Sequence, residues 1–211
     1  RDAAIHGVDA EYIRELADMG FTNIDIDEAI KSKIHGVSKR RTWNLKNAGR
    51  TDLTLKQSRD AAIHGVDEEY VRELADLGYT NLDIEEVIKA KIHGVSRYKI
   101  GDLKRAGLTD LTLREARNAA IHGVNSDQIE NFRKLGYTDM DFDDFVKARI
   151  HGVTPRFAKD FAGLGFDRVP FRKLIKLRIH GVSPEFIKKH KREGDDIDDL
   201  IDYKIRRGSR D

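Results

Sequence analysis

Histidine is the residue type in this chain best able to do chemistry at neutral pH, and it is placed by rule. Seven of the eight histidines stand at 6, 35, 64, 93, 122, 151 and 180, each interval being 29 (35 − 6 = 29). Every copy lies in the string Ile-His-Gly-Val. Imidazoles so spaced could bind metal, act as general bases, read a partner, or finish a helix. Zinc needs ligands about 2 Å from the ion and usually four of them. Equivalent atoms in neighbouring helical layers lie about 8–10 Å apart. The chain has no cysteine, and only the last copy has a second histidine within reach along the sequence. A general base needs a partner and a pocket, and seven identical copies argue against a unique active site.

Helix termination fits each letter of the string. Glycine in the left-handed region ends a helix, because a Cβ there costs about 1–2 kcal/mol. Histidine in the last turn can reach a free carbonyl and, when charged, complements the negative helix end. Valine is expected to touch the preceding turn, where the isoleucine sits. The caps so read are His6 and Gly7, His35 and Gly36, His64 and Gly65, His93 and Gly94, His122 and Gly123, His151 and Gly152, and His180 and Gly181. No catalytic residue, metal ligand or cofactor site is assigned. The chain shows no phosphate-binding glycine loop, nucleophile elbow or paired-carboxylate cleft, and is read as non-enzymatic.

These caps require helices to end. A second glycine series, Gly20, Gly49, Gly78, Gly107, Gly136, Gly165 and Gly194, repeats the interval of 29 (49 − 20 = 29), so each unit holds two helix stops. After each HGV comes Asp9, Ser38, Asp67, Ser96, Asn125, Thr154 or Ser183, all favoured N-cap types. Pro155 and Pro184 follow two of them, at the first helical position where proline is tolerated. A second cap series reads Asp25, Thr54, Asp83, Thr112 and Asp141, with Pro170 in the sixth unit. Apolar residues recur at helical spacing, as in Ile13, Leu16 and Met19, or Ile26, Ala29, Ile30 and Ile34. Helices this short are marginal alone and must stack. The expectation is all-α: a solenoid of seven two-helix units at 9–37, 38–66, 67–95, 96–124, 125–153, 154–182 and 183–211. Residues 1–8 end a preceding unit, and the whole is one repeat domain. A right-handed course is carried over from related architectures.

A longer period is also visible. Lys33 and Lys91 alternate with Ala62 and Ala120, so a 58-residue pair (29 + 29) is the wider unit. The last unit departs: Asp195-Asp196-Ile197-Asp198-Asp199 follows Gly194, and Arg206 stands where histidine is expected. That polar ending suits a terminal cap.

With 39 basic and 37 acidic residues, the net charge of +2 does not by itself announce a nucleic-acid binder. No secretion signal or long apolar run is present, so the segment is expected to be soluble, without membrane insertion, and monomeric. The chain opens without Met inside a repeat and is read as a piece of a longer protein, cytoplasmic or extracytoplasmic.

The first helices alternate in charge. Residues 9–19 hold four acids and one base, and residues 38–48 four bases and no acid. Two readings follow. Opposite helices can simply attract along the stack. Alternatively, the basic helices form stripes with aromatics interleaved: Lys39, Arg40, Arg41 and Trp43, then Arg97, Tyr98 and Lys99, then Arg156 beside Phe157. Such stripes suit an acidic peptide with an apolar anchor, or phosphates with a stacked base. A protein or peptide partner is the first reading and nucleic acid the alternative.

The strings IHGVSPEFIKK, IHGVTPRF and IHGVDAEYIRELADMGFTN resemble a bacterial helical-hairpin repeat. Such repeats occur C-terminal to membrane metallopeptidases of the beta-lactam-sensor type and in other signalling proteins. The resemblance spans essentially the whole chain. It implies a sensing or docking appendage; the HExxH zinc motif of the peptidase is absent, so no activity carries over.

Overall fold

The structure is a computed structural model, and it describes residues 5–47 and 53–208. Among these residues there are fourteen α-helices and no strand. They are α1 (Ala10–Asp18), α2 (Ile26–Ile34), α3 (Lys39–Asn47), α4 (Leu55–Ile63), α5 (Glu68–Asp76), α6 (Ile84–Ile92) and α7 (Arg97–Arg105). There follow α8 (Leu113–His122), α9 (Ser126–Lys134), α10 (Phe142–Ile150), α11 (Pro155–Ala162), α12 (Phe171–Ile179), α13 (Pro184–His190) and α14 (Ile197–Gly208). No described helix is long and apolar enough to cross a membrane.

Most helices start where a side chain can take a free N–H. Asp9 accepts from the Tyr12 amide at 2.8 Å, and Thr154 from that of Phe157 at 3.1 Å. Thr54 and Gln57 form a reciprocal capping box on α4. Pro170 offers no side-chain acceptor, and its own carbonyl takes the Lys173 amide at 2.8 Å.

Helices end in a backbone lock. At the end of α10 the Gly152 amide donates to the Arg149 carbonyl and the Val153 amide to that of Ala148, at 3.3 and 2.8 Å. This paired closure is the Schellman arrangement, and it puts Gly152 at φ +66. The other stop works likewise: the Tyr79 amide reaches back to the Leu74 carbonyl at 2.9 Å, with Gly78 at φ +97. Gly49, expected in this series, lies outside the described residues.

The chain divides into two compact units, Arg1–Ile100 with Thr112–Arg117, and Gly101–Leu111 with Asn118–Asp211. In the first, α1 packs on α3 and α3 on α5, while α2 packs on α4 and α4 on α6. Helices thus pair with their second neighbour, forming a row of first helices and a row of second helices. In the second unit α9 packs on α11, α10 on α12 and α12 on α14. Tyr12, Leu16, Met19, Ala29 and Val37 belong to one buried cluster of the first unit, and Phe132, Phe145, Phe161 and Leu174 to that of the second.

The apolar stripe is phased differently from the sequence expectation. Ile13 is 41% exposed while Tyr12 is 2% exposed. Tyr12 turns inward because its hydroxyl finds a buried acceptor, the Val37 carbonyl, at 3.1 Å. Ile26 and Ile34, expected on the stripe of α2, are 53% and 54% exposed, and Ala29 takes the closest approach at 0%.

Candidate interaction surfaces

The repeated imidazoles stand at the helix ends, exposed or half-exposed; His35, His64, His93, His151 and His180 are C-caps and His122 is the last residue of α8. His35, His64, His93, His151 and His180 share backbone angles near φ −90, ψ 5 (for His93, φ −86 and ψ 6). Among the described residues none of the seven rings takes part in a hydrogen bond, so the expected imidazole-to-carbonyl contact is not made. The cap is formed by backbone amides of glycine and valine. Nor, among the described residues, does any group of three His, Cys, Asp or Glu gather there to hold a metal ion.

The candidate binding residues fall into three environments. Lys39 and Arg97 begin α3 and α7 and are tied to the preceding first helix. The Lys39 ammonium lies 3.2 Å from Asp18 and its amide donates to Glu15; the Arg97 guanidinium lies 2.8 Å from Asp76 and its amide donates to Glu73. The attraction between neighbouring helices of opposite sign is therefore a contact of the fold. Arg40, Lys99 and Arg156 lie exposed on their helices, and Arg41 is half-buried. Trp43 and Tyr98 are the aromatic members, 61% and 78% exposed, on the first-helix row of the first unit.

Between α3 and the start of α7 stands α5, which carries Glu68, Glu69, Glu73 and Asp76. With Arg72 and Arg97 these line an open depression of about 450 Å³. The basic stripes are thus separated by carboxylates.

Cations also cap carbonyls one layer back. Lys46 Nζ donates to the Met19 carbonyl at 2.9 Å and Lys191 Nζ to that of Leu164 at 2.8 Å; Arg133 makes the same contact to Ala106. Each donor follows its acceptor by 27 positions (46 − 19 = 27), a signal in the sequence that only the structure makes readable. Along the second-helix row, Arg59 meets Glu28, and Arg117 meets Glu86 at 2.6 Å. The Arg59 guanidinium is the main cause holding the Glu28 carboxyl below its usual range, while for Glu86 the neighbouring Lys89 leads and Arg117 follows. Asp102 is lowered by the amide and hydroxyl of Ser126, at 2.9 and 2.8 Å.

Comparison with family models, with curated proteins and with solved structures returned no match. The surfaces therefore have to speak through their chemistry.

One surface was missed altogether. The isoleucine of Ile-His-Gly-Val, expected to pack on its valine, is exposed in every copy. Ile5, Ile34, Ile63, Ile92, Ile121, Ile150 and Ile179 are 74%, 54%, 46%, 50%, 47%, 55% and 56% exposed. The valines are buried, Val153 to 2% and Val182 to 1%. The reason is helical phase: isoleucine stands at the end of the helix, one residue before it in α8, and falls on its outer face. The chain then reverses through glycine, which returns valine to the core.

Proposed function

We propose that this chain is a non-enzymatic helical-repeat scaffold, a right-handed α-solenoid of seven two-helix units, that binds a protein partner along its first-helix row. The supporting observation is the pair Trp43 and Tyr98, large aromatics left more than half exposed on that row. Exposed aromatics beside arginine are the usual anchors of protein interfaces. The alternation of acidic α1, basic α3 and acidic α5 gives a partner both charges to match, which sets register and specificity more than strength.

Nucleic acid fits this surface less well. A polyanion following Lys39, Arg40 and Arg97 would cross the carboxylates of Glu15, Asp18, Glu73 and Asp76, to which two of those cations are already bound. Such repulsion opposes the phosphate contacts on which nucleic-acid affinity rests.

Photo-crosslinking tests the reading. A benzophenone amino acid at position 43 or 98, in extracts of the source cells, is expected to give protein adducts that survive nuclease treatment. The same label at exposed position 56, on α4 of the second-helix row, is expected to give none. Nuclease-sensitive adducts at about 150 mM salt would overturn the assignment in favour of nucleic acid.

A further inference from the structure

The second unit has an isoleucine ladder of its own, Ile121, Ile150, Ile179 and Ile205, exposed to 47%, 55%, 56% and 42%. It runs along the C-terminal edge of α8, α10, α12 and α14, and that edge is basic. Lys147 and Arg149 flank Ile150, Lys176 and Arg178 flank Ile179, and Lys204 and Arg206 flank Ile205. Three of these are held in place by neighbours on the same unit. Arg149 Nε donates to Gln128 at 3.0 Å, Arg178 stacks 3.7 Å from the centre of the Phe157 ring, and Lys204 lies 5.0 Å from that of Phe186. Lys147 and Lys176 are exposed and form no ion pair among the described residues. The carboxylates of α10 and α14, Asp143, Asp144, Asp198 and Asp199, sit in the first turns, Asp144 near enough to Lys147 to feel its charge, while Asp127 lines a depression with Arg149 and Gly152 and Asp202 stands three residues before Ile205.

We propose that this ladder docks an extended acidic segment of a partner protein, apolar at every third residue. Charge complementarity fixes the sign of the occupant. Its shape follows from the line itself: one apolar side chain per layer, in single file, with cations on both sides. Helical layers are spaced by about 8–10 Å, and three residues of an extended or polyproline-type chain cover about 9–10 Å. One apolar residue in three would meet one isoleucine per layer, while the acidic residues between them face Lys147, Lys176 and Arg206. A bilayer fits less well, since isoleucines about half covered by their own helices do not project far enough to insert. The proposal rests on the reading of the chain as a protein-binding scaffold but uses a different helix row, so the two can fail separately.

The test is fluorescence anisotropy of the full chain with a labelled peptide of repeating Leu-Pro-Glu, at about 150 mM salt. Saturable binding is expected, weakened about tenfold or more by the double variant Ile150→Ser/Ile179→Ser. Peptides of repeating Leu-Pro-Lys or Ser-Pro-Glu are expected to bind at least about tenfold more weakly. The variant Lys147→Glu/Lys176→Glu should reverse the preference toward Leu-Pro-Lys, a gain that misfolding cannot produce. Trp43→Ala/Tyr98→Ala should leave peptide binding unchanged, which separates this ladder from the first-helix row. No saturation by about 1 mM peptide, equal binding of the comparison peptides, or indifference to the isoleucine variant overturns the proposal. So does co-sedimentation with phosphatidylserine vesicles that the isoleucine variant abolishes while the peptide stays unbound; the ladder would then be a lipid-facing one.

Discussion

Gly152 and its neighbour His151 divide one task unequally. Glycine stands at φ +66, where nothing crowds a Cβ within 4 Å, so the cost of adding one is conformational and not steric. Gly152→Ala is therefore expected to destabilise the fold by about 1–2 kcal/mol. His151 contributes its backbone to the cap and half-exposes its ring, which makes no hydrogen bond among the described residues. His151→Ala is expected to stay within about 0.5 kcal/mol of the parent. Urea titrations of both variants decide the matter; a larger loss from the histidine would mean that the imidazole holds the turn. That a helix stops here was legible from Gly and the N-cap type that follows. The direction of each side chain was not, because Ile and Val both read as core while only valine lies past the reversal.

At the scale of the helical hairpin, the 58-residue alternation has a physical cause. Lys33 lies 4.2 Å from the centre of the Tyr12 ring, and Lys91 the same distance from that of Tyr70. In the intervening hairpin the equivalent positions hold Arg41 and Ala62. One cation is kept per hairpin, on either the first helix or the second; when the second helix supplies it an aromatic faces it, except at Arg149, which meets Gln128. Ala62→Lys would set a second positive charge beside Arg41, whose buried Nε already has no hydrogen-bond partner among the described residues. A loss of about 1 kcal/mol is expected, in the range for an uncompensated surface-to-boundary charge. Adding Arg41→Tyr rebuilds the Tyr–Lys arrangement and should restore most of it, since cation–π pairs contribute about 0.5–1 kcal/mol at such sites. A double-mutant cycle read by thermal unfolding checks the coupling; additive effects would reduce the alternation to a trace of duplication.

Across the whole molecule, the helix order, both cap series and the two stops per period were legible because each depends on local backbone chemistry that repeats at a fixed interval. The burial phase was not, because nine-residue helices carry isoleucine on more than one face. Nor were the tyrosines legible as core: Tyr12, Tyr70 and Tyr137 are 2%, 3% and 4% exposed, each donating its hydroxyl to a carbonyl of another element, Val37, Val95 and Val169. Burial pushes the Tyr12 phenol up to about 12 and raises those of Tyr70, Tyr79 and Tyr137 as well. An unfolded tyrosine ionises near pH ~10. The folded phenols hold their protons longer, so their contribution is complete below that pH and is lost as the pH climbs through the folded values. The denaturation midpoint should therefore fall between about pH 9 and 12. Lysine ion pairs weaken over the same range, so the slope alone cannot assign the cause. Tyr12→Phe/Tyr70→Phe separates them: it gives up two hydroxyl contacts at neutral pH, but its further loss at high pH should be visibly shallower than the parent's. An identical alkaline slope in parent and variant would place the effect on the lysines, and the phenols would then be no more than packing.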